Sequence, residues 1–100
     1  MQTLTYDFTA SLTPNRRVHA GVVASGDLEI LLDDTASDEA SVRVRTSVDG
    51  FDTVWRDVLE RFFAHTPLAG HWELNDFGAT PAVVTLRLRQ TAEAALRDQP

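Results

Sequence analysis

Apolar and polar residues alternate in several short runs along the first half of the chain. In "TLTYDF", Leu4, Tyr6 and Phe8 lie on one side, which predicts a first β-strand. In "SVRVRTSV", residues 41–48, valines alternate with arginines, as in a strand that has one solvated face. These runs predict a sheet with one face buried against a core.

The stretch "GVVASGDLEILL", residues 21–32, interrupts its own alternation. An apolar face that begins at Val18 pauses at Ser25-Gly26-Asp27 and then resumes. The members of this face are Val18, Val22, Ala24, Leu28, Ile30 and Leu32. Two alternating runs around a Ser-Gly pair predict a β-hairpin with a tight turn, in which glycine supplies a positive φ. The acidic segment "DDTASDEA", residues 33–40, then predicts a mobile loop.

The strongest periodic signal covers about residues 51–65, "FDTVWRDVLERFFAH". Its apolar residues recur with the i, i+3, i+4, i+7 spacing of an amphipathic helix. They are Phe51, Val54, Trp55, Val58, Leu59, Phe62 and Phe63. Asp52 or Thr53 suits the N-terminal cap region, and Pro67 and Gly70 end the helical region.

Two more strands are predicted at "HWELNDF", residues 71–77, and at "AVVTLRLRQ", residues 82–90. The tail "QTAEAALRD", residues 90–98, predicts a short C-terminal helix. The resulting order, β-β-β-β-α-β-β-α, favours an α+β fold. We expect one domain, residues 1–100, with an antiparallel or mixed sheet of hairpins covered by one main helix.

Composition narrows the function classes. Fifteen acidic residues outnumber nine basic ones, all arginine, for a formal net charge of −6. Such a chain repels nucleic acid and anionic membranes, so neither is an expected partner. The sequence has neither an apolar run near 18 residues nor a basic segment followed by an apolar one, which predicts a cytoplasmic protein without a signal peptide. Because cysteine is absent, any thiol chemistry needs a cofactor.

The residue types that usually carry catalysis form no recognisable constellation. The three histidines, His19, His65 and His71, show no metal-binding spacing, so no metal site is expected. "VASGD" lacks the G-x-S-x-G elbow of serine hydrolases, and His19 and Ser25 are predicted to lie on one strand. The pairs Arg16-Arg17 and Arg87/Arg89 could bind phosphate, although arginines on solvated strands are common. No catalytic residue is predicted.

Ser25 is the remaining candidate. In one interpretation, Ser-Gly only makes the turn. In the other, the hydroxyl at an exposed turn is a place where a group is attached. The residue pattern by itself leaves both interpretations open.

Three segments carry a resemblance to a known family: "GVVASGDLEILL", "TSVDGFDTVWRDVLERFF" and "NDFGATPAVVTLRLRQ". From about Leu4 to Gln90, the chain resembles the acyl carrier (delta) subunits of biotin-independent malonate decarboxylase. In that family, the serine of S-G-D-L-E carries 2′-(5″-phosphoribosyl)-3′-dephospho-coenzyme A through a phosphodiester. The resemblance therefore implies that Ser25 is the cofactor attachment residue.

The resemblance also implies partners. An acyl transferase (alpha) subunit would exchange acetyl for malonyl on the arm, a decarboxylase pair (beta and gamma) would release carbon dioxide, and a prosthetic-group transferase would load the arm. The carrier itself would not be catalytic. Three alternatives stay open: the acyl carrier subunit of citrate lyase, a noncatalytic interaction module, and a small hydrolase that uses Ser25 and His19. An ordinary phosphopantetheine carrier is disfavoured, because those carriers are helical bundles with D-S-L at a helix start.

Overall fold

The structure, a computed structural model, describes residues 1–97. Its elements in chain order are β1 (Gln2–Thr9), β2 (Val18–Ala20), β3 (Leu28–Asp33), β4 (Glu39–Thr46), α1 (Asp52–His65), β5 (Gly70–Asp76) and α2 (Pro81–Leu96). The strands form one sheet in the order β1-β4-β5-β3-β2. Strands β4 and β5 are parallel, and the other neighbouring pairs are antiparallel. The predicted α+β fold with a mixed sheet is therefore confirmed.

The core lies on one face of the sheet, because alternate strand residues point to the same side. The register places Trp72 between Val42 of β4 and Leu32 of β3, and all three side chains are buried. Both helices cover this face, with Leu59 of α1 and Leu88 of α2 fully buried in the same cluster. The opposite face carries half-buried and exposed side chains, most of them polar, with Leu31 as an exposed apolar one.

Helix α1 occupies the predicted segment, and four residues of the predicted apolar stripe are buried: Trp55, Leu59, Phe62 and Phe63. The first turn carries Asp52, while Phe51 occupies the N-cap position without a side-chain cap. The stripe is not buried throughout. Phe51 and Val54, at the start of the helix, are 48% and 42% exposed.

The predicted strand at residues 82–90 is wrong, because this segment belongs to α2. Thr80 caps the helix by accepting a hydrogen bond from the Val83 amide, and Pro81 occupies the first turn. The predicted short C-terminal helix is the second half of the same 16-residue helix, and Asp98 lies outside the described residues. Residues four apart share a face in a helix and also in a strand, so Val84 and Leu88 fit both patterns. Leu86 distinguishes them, since it is 52% exposed.

The predicted hairpin is only partly correct. Strands β2 and β3 pair antiparallel, with Val18 opposite Leu32 and Ala20 opposite Ile30. The pairing stops at Ala20, however, so residues 21–27 form a loop rather than continuing the strand. Ser25 and Gly26 still occupy a turn within this loop. In the acidic segment 33–40, the ends belong to β3 and β4, which leaves residues 34–38 as the connection.

Candidate functional site

Ser25 lies at the exposed tip of a turn that spans Ala24–Asp27. The Asp27 amide donates to the Ala24 carbonyl at 3.0 Å, which closes the turn. Gly26 has φ +79° at the third turn position, where a type II turn requires a positive value. Among residues 1–97, no other group forms a hydrogen bond with the Ser25 hydroxyl. The hydroxyl is therefore open to an approaching reactant.

The turn is fastened to the segment that follows β5. The Gly26 amide donates to the Phe77 carbonyl at 2.7 Å, and the Phe77 amide donates to the Asp27 carbonyl at 3.1 Å. These reciprocal backbone bonds hold Gly26 and Asp27, the two residues that follow Ser25. Ser25 is thus presented on an anchored backbone.

Asp27 adds a second fastening, to helix α2. Its Oδ1 and Oδ2 atoms accept hydrogen bonds from the Arg87 Nε and Nη2 atoms, each at 3.0 Å. Oδ1 also accepts from the Leu28 amide at 2.7 Å. Hydrogen bonds from Arg87, and then from the Leu28 amide, hold the pKa of the Asp27 carboxyl below its ordinary value. The two-pronged contact with an arginine gives the loop a defined geometry.

The same end of the molecule contains a buried polar pair. The Thr46 hydroxyl donates to Asp76 Oδ2 at 2.8 Å, and Asp76 Oδ1 accepts from the Ala79 amide at 2.9 Å. Both side chains are almost fully buried, so these bonds compensate for lost hydration. Thr46 begins "TSVDG" and Asp76 lies in "NDFGATP". All three segments that carried the resemblance therefore meet beside Ser25.

The sequence prediction identified Ser25 but missed the residues that position it. Asp27 lies in the predicted turn and Asp76 in the predicted strand at residues 71–77, and local patterns do not identify partners that lie 60 and 30 positions away. Arg87 was a candidate for phosphate binding, and the structure pairs it with Asp27 instead. The S-G-D triplet was the available signal, because aspartate after a turn often bonds to nearby backbone amides.

The histidines do not join this site. His19 Nε2 lies 3.0 Å from Glu29 Oε2 on the sheet, and His65 Nδ1 lies 3.0 Å from the Arg61 carbonyl oxygen. Within residues 1–97, no hydrogen bond connects a histidine to Ser25, which gives no support to a Ser25–His19 hydrolase. The described part of the chain also contains no group of three metal-ligating side chains. Nor does it contain a helix that is long and apolar enough to span a membrane.

Comparison with known proteins identifies a family and relatives of similar sequence. The sequence model of the family described as "ACP: Malonate decarboxylase delta subunit (MdcD)" matches residues 15–95. The malonate decarboxylase acyl carrier protein of Pseudomonas aeruginosa strain PAO1 is 46% identical over 98% of this chain and 100% of its own length. The protein of the same name from Pseudomonas savastanoi pv. phaseolicola is also 46% identical, over 93% of this chain and 95% of its own length.

A solved structure extends the likeness to the fold. One chain in the crystal structure of a Pseudomonas malonate decarboxylase hetero-tetramer in complex with malonate superimposes with a TM-score of 0.87. It is 44% identical, and the match covers 93% of this chain and 97% of that chain. Sequence and fold agree over nearly the whole length, so the resemblance noted above is confirmed. The chain belongs to the malonate decarboxylase delta-subunit family of acyl carrier proteins.

Proposed function

We propose that this chain is the non-catalytic acyl carrier subunit of a malonate decarboxylase and that Ser25 bears its prosthetic group. The group would be 2′-(5″-phosphoribosyl)-3′-dephospho-coenzyme A, joined to the Ser25 hydroxyl by a phosphodiester. One observation carries the proposal: the family's S-G-D-L-E serine stands exposed at the tip of an anchored turn. The rest of the domain, residues 1–100, would serve to present this residue.

The residues around Ser25 fit such a group. Ala24 and Gly26 are exposed and have little or no side chain, so an attaching enzyme can reach the hydroxyl. When bound, the group supplies the thiol that the cysteine-free chain lacks and holds acetyl or malonyl as a thioester. The chain itself holds the attachment residue and so positions the tethered acyl group. Tethering raises the effective concentration of the acyl group at partner sites.

Partner subunits would supply the reactions. The proposed set is an acyl transferase (alpha) subunit, a decarboxylase pair (beta and gamma) and a prosthetic-group transferase, with no role for nucleic acid or membrane. The related Pseudomonas chain belongs to a hetero-tetramer, which supports a multi-subunit assembly. A net charge of −6 favours docking surfaces of basic character on these partners. The proposed location of this carrier is the cytoplasm.

Intact mass spectrometry of the protein from its native host, grown on malonate, tests the attachment. We expect a mass increase equal to the phosphoribosyl-dephospho-coenzyme A group. Because every basic residue is arginine, trypsin releases Ser25 within residues 18–43. Fragmentation of that peptide must then place the mass on Ser25 rather than on Ser37 or Ser41. An unmodified protein in cells that degrade malonate would favour the interaction-module alternative.

Replacing the hydroxyl tests the function. Ser25→Ala should fold normally, since an exposed surface substitution usually changes stability by about 0.5 kcal/mol or less. In the assembled complex it should abolish malonate decarboxylation. The matched control is Ser11→Ala, another exposed serine, which should retain full activity. Normal activity of Ser25→Ala would refute the attachment site.

A further inference from the structure

An apolar groove begins beside the Ser25 turn. Its cavity volume is about 370 Å³, and it runs between the first turns of α1 and α2. Gly78 lines the groove, and a Cβ atom at this position would lie 4.0 Å from the Gly26 amide nitrogen. The groove therefore adjoins the residue next to Ser25.

The walls of this groove are unusually apolar for an exposed surface. Phe51, Val54 and Val48 line it and are each about 40–50% exposed, and the Trp55 side chain lies deeper. The sole carboxylate among its lining residues, Asp76, is already bonded to Thr46 and Ala79. A flat apolar or aromatic molecule that covers these side chains would gain binding free energy from the buried apolar surface.

A second cleft of about 420 Å³ lies beyond the first, between the second half of α1 and the N-terminal half of α2. Val58 and Pro81 line both clefts, so the two adjoin. The second cleft is basic: Arg61 and His65 enter from α1, and Arg89 enters from α2. No carboxylate is among its lining residues.

This basic cleft is unexpected in a chain with a net charge of −6. Two other arginines are paired with acids, Arg87 with Asp27 and Arg43 with Glu73. Within the described residues 1–97, neither Arg61 nor Arg89 forms an ion pair. Two guanidinium groups on facing helices, without a carboxylate, form a place for a small polyanion such as a diphosphate.

We propose that the two clefts together bind the prosthetic arm carried by Ser25, with its adenosine in the apolar groove and its diphosphate in the basic cleft. This inference rests on the proposed function. The order of the clefts from Ser25, apolar and then basic, is also the order of adenosine and diphosphate along the arm. Because the arm is tethered, weak contacts are sufficient for docking. The arm would rest there between visits to partner sites and leave when a partner binds it better.

The test compares the apo and loaded forms of the full chain by NMR, after intact mass has verified the loading. We expect amide shift differences at Phe51, Val54, Arg61 and Arg89, besides those next to Ser25. The ³¹P signals of the diphosphate should be shifted and broadened relative to free 3′-dephospho-coenzyme A. Added salt should diminish this difference, since exposed guanidinium–phosphate contacts are screened.

Variants assign the effect to the cleft. Loaded Arg61→Gln/Arg89→Gln should lose most of the ³¹P shift difference, while Arg45→Gln, on the opposite face of the sheet, should retain it. Both cleft arginines are exposed, so these substitutions should leave the fold intact.

The outcomes separate the two proposals. Absence of the arm by intact mass would overturn the attachment and this inference together. A loaded protein whose shift differences stay within residues 22–28 and 77–78, with diphosphate signals like those of the free compound, would overturn only the docking. Groove shifts that arise only after partner subunits are added would also overturn it and would assign the groove to a partner.

Discussion

At the scale of single residues, the geometry of the site depends on the residues that hold the Ser25 turn in place. The Asp27 carboxylate joins the loop to α2 through Arg87 and also accepts from the Leu28 amide. Gly26 bonds to Phe77 through its backbone. A serine on a loop without such bonds would sample many positions. The bonds at Gly26 and Asp27 restrict the positions that the Ser25 backbone can adopt. Substitution of these positioning residues should therefore alter the stability of the fold around the turn.

Removing the Asp27 charge should make folding stability lose part of its pH dependence. The folded pKa of Asp27 lies below its ordinary value of 3.8, so the ionised form stabilises the fold above that pH. This contribution disappears as pH falls through the lower, folded-state pKa. Urea unfolding of the wild type and Asp27→Asn should show a stability gap that is constant near neutral pH and shrinks below about pH 4. A gap that is unchanged at low pH would contradict the assigned ion pair.

Two glycines beside the site make a matched pair for a second prediction. Both have positive φ, +76° at Gly21 and +79° at Gly26. A Cβ atom at Gly21 would lie 1.9 Å from the Leu28 carbonyl oxygen, whereas a Cβ atom at Gly26 meets nothing within 4 Å. Gly26→Ala should therefore cost only the backbone strain, about 1–2 kcal/mol.

Gly21→Ala should cost clearly more than Gly26→Ala, because the loop must also move away from Leu28. Chemical denaturation of the two variants compares the costs directly. Equal losses would mean that the loop yields to the added methyl group without resistance.

At the scale of elements, amphipathic periodicity identified α1 well but misjudged the second helix. In α1, seven apolar residues follow the helical spacing, and four of them are buried. In α2, Ala82, Val84, Leu86 and Leu88 imitate a strand. A capping signal, Thr80 followed by Pro81, is present in the sequence between the two predicted strands. Helix α2 could thus have been recognised from its start.

The burial pattern within α1 gives a third prediction. Leu59 is fully buried between the sheet and the helices, so Leu59→Ala should reduce the free energy of unfolding by about 2–5 kcal/mol. Val54→Ala, on the same helix but 42% exposed at the groove, is the control. It should cost much less in thermal or chemical unfolding. Similar losses for both variants would show that α1 is oriented differently about its axis.

At the scale of the whole molecule, chain topology creates the site. Strand β5 lies between β4 and β3, parallel to β4 and antiparallel to β3. The C-terminal ends of β4 and β5 and the N-terminal end of β3 therefore lie at the same end of the sheet. Segments that are remote in sequence meet there: Ser25–Glu29, Thr46–Gly50 and Asn75–Pro81. The first turns of both helices follow directly, which places the apolar groove beside Ser25. Acyl-carrier presentation and arm docking would therefore share one end of the protein.

The sequence by itself determined which residues face the core in most strands and in α1, where Ser25 stands in a turn, and to which family the chain is similar. Those properties follow from local periodicity and from motifs, which neighbouring residues encode. Only the tertiary structure decided that 81–96 is one helix, that Asp27 pairs with Arg87, and that an apolar and a basic cleft adjoin the turn. These features depend on contacts between residues far apart in the chain, and no short pattern specifies them.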